Sequence, residues 1–129
     1  MEKGKSVLQL DKLVFDEINF KRLGFSSDKK LELKIKSNIS QREKDDIYKV
    51  TLSIEGNKPE EYIFEISLTG YFIIVGEVQD ELKKVLIRNN AIAILMPYLR
   101  SEVSLLTAQP GVDPVVLPPF NINALFAKK

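Results

Sequence analysis

Adjacent carboxylates are the residues of this sequence whose types could support catalysis. Asp45-Asp46 and Glu60-Glu61 are acidic pairs, and two carboxyl groups that face each other can act as general acid and general base. Side chains that are neighbours along the chain rarely point together, however, and both pairs lie in predicted turns. The chain has no histidine and no cysteine, so the commonest general base near neutral pH and the thiol nucleophile are both missing. We therefore expect a protein that is not an enzyme.

The residue types also disfavour phosphate, metal and nucleic-acid binding. Gly70 and Gly76 are six residues apart, but the Lys-Ser or Lys-Thr pair that completes a phosphate-binding loop does not follow them. Lys34 and Lys36 follow Glu32 in an alternating segment without interleaved aromatic rings, and the formal net charge is only +1. We expect no metal, no cofactor and no nucleic-acid partner.

The aromatic residues permit two interpretations. Those outside the regular strand pattern share no helix or strand period: Phe25, Tyr71, Phe72, Tyr98, Phe120 and Phe126. They either fill the core and the subunit contacts, or line a groove between the tail and the sheet that binds extended apolar peptide.

Alternating apolar residues predict four β-strands in the first two thirds of the chain. The first strand is long, and its imperfect alternation is compatible with a bulge. Its predicted faces are Leu10, Val14, Ile18 and Phe20 on one side and Leu13 and Phe15 on the other. The other three strands have the apolar faces Leu31, Leu33, Ile35 and Ile39; Tyr48, Val50, Leu52 and Ile54; and Tyr62, Phe64, Ile66 and Leu68. Beyond Gly70, which suggests a bulge or a close approach, residues 71–75 are apolar on both faces, which predicts packing on both sides.

From Val78 the apolar period becomes helical, which predicts a short helix and then a much longer one that continues to about Leu106. Pro97 lies inside the longer pattern, where it removes a helical hydrogen bond. We expect a kinked helix; the alternative is a helix that begins only near Met96.

The tail is irregular and almost uncharged. Residues 110–120 include four prolines, and Asp113 is the only charged residue between Glu102 and Lys128. Because such a segment cannot face water along its whole length, it must lie on the body of the protein or on another copy, which favours an oligomer. With 129 residues, we expect a single domain over residues 1–129. No apolar run has the length of a signal peptide or of a membrane span, so we expect a cytoplasmic protein without membrane insertion.

Two segments near the end of the chain carry a family resemblance. Residues 95–102, Leu-Met-Pro-Tyr-Leu-Arg-Ser-Glu, resemble the Phe-Pro-Tyr-Ala-Arg-Glu helix motif of the bacterial protein-export chaperone SecB. Residues 117–126, Leu-Pro-Pro-Phe-Asn-Ile-Asn-Ala-Leu-Phe, are similar to that family's Leu-x-Pro-x-Asn-Phe-x-Ala-Leu-Phe tail. Residues 8–20 and 62–66 resemble its first and fourth strands, so the resemblance covers most of the chain.

The resemblance implies an α+β fold in which a four-stranded antiparallel sheet has a long C-terminal helix packed on one face. It also implies a homotetramer, built as a dimer of dimers, that works as an ATP-independent holdase. Such a protein binds extended apolar segments of unfolded or precursor polypeptides and delivers them to the translocation motor SecA.

The resemblance also assigns site residues. The client-binding groove would contain Phe25, Leu117, Phe120, Ile122, Leu125 and Phe126. The SecA-docking patch would contain Glu17, Ile63 and Glu65. Lys21 stands where the family has a second acid on the first strand, and the chain is near neutral where export members are acidic, so we expect weak and salt-sensitive docking.

Three other functions are compatible with the sequence. Within the family, the chain resembles chaperones of toxin–antitoxin systems, which protect an antitoxin. From other classes, it could be a purely structural oligomeric module whose tail seals subunit contacts, or a small carrier of apolar ligands.

Overall fold

The computed structural model describes residues 7–42, 47–76 and 79–117. Four strands, β1 (Val7–Arg22), β2 (Glu32–Arg42), β3 (Ile47–Lys58) and β4 (Tyr62–Val75), form one sheet in the order β1-β4-β3-β2. Each neighbouring pair is antiparallel. A helical stretch follows, made of α1 (Asp80–Leu86), a π-helical turn (Ile87–Ala91) and α2 (Ile92–Thr107). The predicted α+β fold, a four-stranded antiparallel sheet with a long helix after it, is confirmed.

The core lies between one face of the sheet and the helical stretch. Alternate residues of β3 and β4 are buried there because successive side chains of a strand point to opposite faces. The fully buried side chains of this layer include Val50, Leu52, Ile54, Ile66, Leu68 and Phe72 from the sheet, with Ile87, Ile92, Leu95, Leu99 and Val103 from the helical stretch. The predicted apolar faces of the two central strands are therefore confirmed.

β1 departs from simple alternation at two bulges. Its register against β4 shifts between Leu10 and Lys12 and again between Phe15 and Glu17. Each extra residue moves the following side chains to the other face. As a result Leu10, Leu13, Phe15, Ile18 and Phe20 all lie on the core side, opposite inward-facing residues of β4.

The predicted faces of β1 were consequently wrong for three residues. Val14 pairs with Thr69 on the face away from the helix and is 41% exposed. Leu13 and Phe15 join the face that the prediction had given to Val14. The pattern of apolar residues alone could not place the bulges, because their positions depend on pairing with β4.

The predicted short helix and the longer helix after it are confirmed as α1 and α2. The backbone keeps right-handed helical angles from Leu86 through Ile92, so the two predicted helices are one stretch joined by the π-helical turn. Pro97 lies inside α2 on its exposed side, so the alternative start near Met96 is wrong. None of the helical segments in the described part of the chain has the length and apolar character that crossing a bilayer requires.

Gly70 marks a close approach between the sheet and the helix. A Cβ atom at this position would lie 2.7 Å from the Phe72 ring and 2.8 Å from a methyl group of Leu95. Pairing with both β1 and β3 continues across Gly70, so β4 contains no bulge there. Beyond it Phe72 is buried under the helix, whereas Tyr71 and Ile73 remain partly exposed on the other face.

Candidate functional site

Residues 108–117, here called the strap, return along α2 after the helix ends. The Thr107 hydroxyl accepts a hydrogen bond from the Val115 N–H at 2.8 Å, and the Ser104 hydroxyl donates to the Val115 carbonyl at 2.9 Å. The Arg100 guanidinium donates to the Leu117 carbonyl from Nε at 3.3 Å and from Nη2 at 3.2 Å. Residues three and four apart share one face of a helix, so these side chains form a ladder that holds an irregular segment. The described part of the tail thus packs on the body of the protein, as predicted.

Residues 23–31, the crossover loop, connect the two edge strands by passing around the β3–β4 turn. The backbone N–H groups of Leu23 and Gly24 both donate to the Glu61 carbonyl, at 2.7 and 3.1 Å. A Cβ atom at position 24 would collide with the Glu60 carbonyl oxygen, so this contact requires glycine. The base of the loop is therefore fixed to the turn.

Arg22, the last residue of β1, joins the crossover loop to the strap. Its Nε donates to the Gly24 carbonyl at 2.8 Å and its Nη2 donates to the Phe25 carbonyl at 3.1 Å. On the other side, Nη1 donates to the Pro110 carbonyl at 2.9 Å and Nη2 to the Gly111 carbonyl at 3.3 Å. Sequence reasoning missed Arg22, because nothing in its neighbourhood along the chain points to residues almost ninety positions away.

Phe25 is the most exposed of the large apolar side chains that the structure describes. It is 84% exposed, and the Arg22 guanidinium carbon lies 5.1 Å from the centroid of its ring. A cation at this distance from an aromatic ring is attracted to its electron-rich face. Leu23, two residues earlier, is 49% exposed. The base of the crossover loop thus presents apolar side chains to solvent on a fixed backbone.

The other predicted groove residues are placed differently. Leu117 is 2% exposed and belongs to the core, with its carbonyl bound by Arg100. The four remaining residues of the predicted groove lie outside the described residues: Phe120, Ile122, Leu125 and Phe126. Their assignment stays a prediction.

The predicted docking residues share the outer face, which is the face of the sheet opposite α2. Glu17 pairs with Ser67 of β4, and Lys21 pairs with Ile63 four residue pairs further along. Glu65 lies midway between them, where its partner is Asn19, and the Asn19 amide donates to the Glu17 carboxylate. The structure therefore brings the three predicted residues together, with Lys21 beside them.

Glu55 extends this acidic group and was missed from the sequence. It is the direct cross-strand partner of Glu65, on β3, and is exposed. Only the β3–β4 register places these two carboxylates side by side; counting back from the turn at Pro59 would have suggested it. Both acids line an open cleft of about 490 Å³ whose other walls include Lys21, Asn57 and Ile63.

An ion pair lies in the turn beneath the crossover loop. The Lys58 ammonium lies 2.9 Å from a carboxylate oxygen of Glu61, and this ion-pair contact raises the pKa of Lys58. Burial raises the pKa of the neighbouring Tyr62 phenol, whose ring stacks on Phe20 at 5.4 Å. Among the described residues, no group of three or more acidic side chains is placed to hold a metal ion.

Solved structures share this fold. The SecB-like chaperone Rv1957 of Mycobacterium tuberculosis, in complex with a ChAD peptide from the antitoxin HigA1, superposes with a TM-score of 0.69 over 86% of each chain at 14% identity. A protein of unknown function from Streptococcus agalactiae superposes with a TM-score of 0.55 over 88% of this chain and 98% of its own, at 11% identity.

Curated relatives match shorter parts of the chain. The protein-export protein SecB of Saccharophagus degradans is 32% identical over 83 residues, which are 64% of this chain and 49% of that protein. The uncharacterized protein MJ0357 of Methanocaldococcus jannaschii is 34% identical over 62 residues, which are 48% of this chain and 39% of that protein. The chain therefore spans about half or less of the length of these two relatives.

The family model for SecB, described as preprotein translocase subunit SecB, matches residues 13–129. This range includes three of the four strands in full, the helical stretch, the strap and both segments that carry the resemblance. The chain belongs to the SecB family.

Proposed function

We propose that this protein is an ATP-independent holdase chaperone of the cytoplasm, which binds extended apolar segments of unfolded polypeptides. The observation that carries the proposal is the exposed Phe25 side chain on a crossover loop whose base is tied to the β3–β4 turn and to the strap. Exposed apolar surface of this kind marks interaction sites. Because the backbone that carries the ring is already held, little further conformational entropy is lost when a client covers it.

The first experiment measures suppression of aggregation of a chemically unfolded substrate, together with client affinity. Phe25→Ala removes apolar contact worth about 1 to 3 kcal/mol if a client covers the ring, which corresponds to an affinity loss of about five- to hundredfold. Its unfolding free energy should change by less than about 0.5 kcal/mol, since the side chain is 84% exposed.

Val14→Ala is the matched control, because Val14 is an exposed apolar residue on the outer face of the sheet. It should hold client like the wild type. Equal client affinity for Phe25→Ala and the wild type would remove Phe25 from the proposed site.

The tail residues belong to the same proposal. If Phe120 and Phe126 line the groove, their replacement by alanine should weaken holding while leaving the melting temperature nearly unchanged. Variants that melt early but hold client normally below their melting temperature would assign these residues to the core instead.

Two kinds of client are consistent with the fold. The structural neighbour from Mycobacterium tuberculosis was solved with an antitoxin peptide, whereas the curated relative from Saccharophagus degradans is an export protein. We propose unfolded export precursors as the main clients and an antitoxin as the second candidate. Affinity for a panel of unfolded precursors, compared with affinity for an antitoxin peptide such as the ChAD peptide of HigA1, separates the two.

We further propose that the acidic group on the outer face docks SecA. Glu55 and Glu65 line one cleft with Ile63, which is 39% exposed, and Glu17 lies beyond Glu65 on the same face. Such a mixed patch suits a basic partner surface with apolar character. Lys21 lies on the same patch, so binding should be weak and should fall as salt rises, because exposed charges are screened over about 8 to 10 Å.

Glu65→Lys should abolish this binding in a titration with purified SecA at low salt. Glu81→Lys makes the same change of charge on α1, away from the outer face, and should bind like the wild type. Tight binding that survives Glu65→Lys would show that SecA contacts another surface.

A further inference from the structure

The guanidinium of Arg22 connects two segments that the proposed function uses. The crossover loop carries Phe25, and the strap leads directly into the tail with the remaining predicted groove residues. Four hydrogen bonds from one side chain, two to each segment, cross this junction at 2.8 to 3.3 Å. All four acceptors are backbone carbonyls, so the contact fixes the path of the chain rather than one side-chain rotamer.

The surroundings of Arg22 are shaped for this contact. Gly111 has a φ of +77°, a conformation that favours glycine, and a Cβ atom there would lie 3.1 Å from Arg22 Nη2. Glycine suits this position, because it adopts the positive φ without strain and leaves room for the guanidinium. Arg22 also covers one face of the Phe25 ring, so the opposite face is the one directed to solvent.

We propose that Arg22 is a positioning residue for client binding, which clamps the crossover loop to the strap and holds Phe25 in its binding orientation. The proposal rests on the holdase function proposed above. A planar guanidinium can donate to two segments at once in a fixed geometry, whereas a lysine ammonium is a single flexible point charge. Without the clamp, a client would have to hold the Phe25 side chain in its binding orientation as it binds.

The first test uses Arg22→Lys, which keeps the positive charge and removes the planar set of guanidinium N–H donors. The chain contains no cysteine, so Ser26→Cys and Val116→Cys introduce two unique positions for spin labels, one on the loop and one on the strap. The distance distribution between the labels should be narrow with Arg22 and clearly broader with Arg22→Lys. In the unlabelled protein, client affinity should fall about three- to tenfold, the size expected when binding must also immobilise one further side chain.

Arg88→Lys is the matched control, because Arg88 is an exposed arginine on the π-helical turn, distant along the chain from both segments. It should leave both measurements unchanged. Melting temperature and assembly state are recorded for every variant, since a residue with only a structural role would alter these without a specific change in the label distances.

Gly111→Ala disturbs the same contact from the side of the strap, because its Cβ atom would crowd the Arg22 guanidinium. This variant serves as the test if Arg22→Lys does not fold. It should broaden the same distances and weaken client binding to a similar extent. An unchanged distance distribution, or a broadened one with unchanged client affinity, would overturn the proposal. If the wild type binds no client but shows the narrow distribution that Arg22→Lys broadens, the holdase function fails and the clamp stands only as a structural contact.

Discussion

At the scale of single residues, arginines join segments that lie far apart in the sequence. Arg100 belongs to the Pro-Tyr helix segment, and its guanidinium binds the carbonyl of Leu117, the first residue of the tail segment. The two segments near the end of the chain that resemble SecB therefore touch through this pair. Because one arginine satisfies a carbonyl of an irregular segment, the helix and the tail depend on each other for their placement.

Tyr62 and Lys58, at the β3–β4 turn, should make the folding stability depend on pH in the alkaline range. Burial raises the pKa of its phenol above 10.0, and the ion pair with Glu61 raises the pKa of Lys58 above 10.5. When the folded pKa is raised, the stabilising contribution is complete below the unfolded pKa and is lost as pH rises through the folded pKa. The melting temperature should therefore fall from about pH 10 upward.

Tyr62→Phe removes one of the two groups and should make that fall less steep in thermal melts between pH 8 and pH 11. Tyr98→Phe is the control, since Tyr98 is a 44% exposed tyrosine on α2. An identical slope for the wild type and Tyr62→Phe would show that this phenol does not contribute.

At the scale of elements, α2 works as a support on two sides. Its buried side packs on the sheet, while Thr107, Ser104 and Arg100 hold the strap. Thr107 is fully buried, and its hydroxyl donates to the Val103 carbonyl at 2.7 Å while accepting from the Val115 N–H. The Thr107 hydroxyl thus bonds both a carbonyl of the last helical turn and a backbone N–H of the strap.

Thr107→Val keeps the shape of the side chain and leaves the Val115 N–H without this acceptor. The expected cost is about 1 to 3 kcal/mol of unfolding free energy, as for other buried donors that lose their partner. Urea denaturation measures it, with the exposed Ser101→Ala on the same helix as the control. A midpoint equal to that of the wild type would mean that the strap is held without this bond.

At the scale of the whole molecule, exposed apolar side chains favour self-association. Leu82 and Val85 on α1 are 54% and 53% exposed, and Leu105 on α2 is 67% exposed. Among the described strands, β1 and β2 are the edge strands, each with a single neighbouring strand. We expect a homotetramer, built as a dimer of dimers, or at least a dimer. Light scattering at micromolar concentration measures this, and a monomer would contradict the prediction.

Much of the fold could be predicted from local patterns. Alternation in β2, in β3 and in β4 up to Leu68 predicted which faces are apolar, and the helical period after Val78 predicted the change to helix. These signals are local, because a strand or helix must turn its apolar residues toward one side whatever it packs against. The position of Phe25 in a connecting loop could also be predicted from the sequence, because the residues around it do not continue the strand alternation.

The tertiary structure alone decided the contacts between distant segments. The bulges that place Val14 on the outer face and the four hydrogen bonds of Arg22 depend on which strands and segments become neighbours. Bulge positions and backbone acceptors leave no periodic trace in the sequence, since any residue offers the same carbonyl group. Local patterns therefore specify the strands and helices, the apolar faces of β3 and β4 around the core, and the loop position of Phe25, whereas packing between distant segments fixes the faces of β1 and the contacts of Arg22.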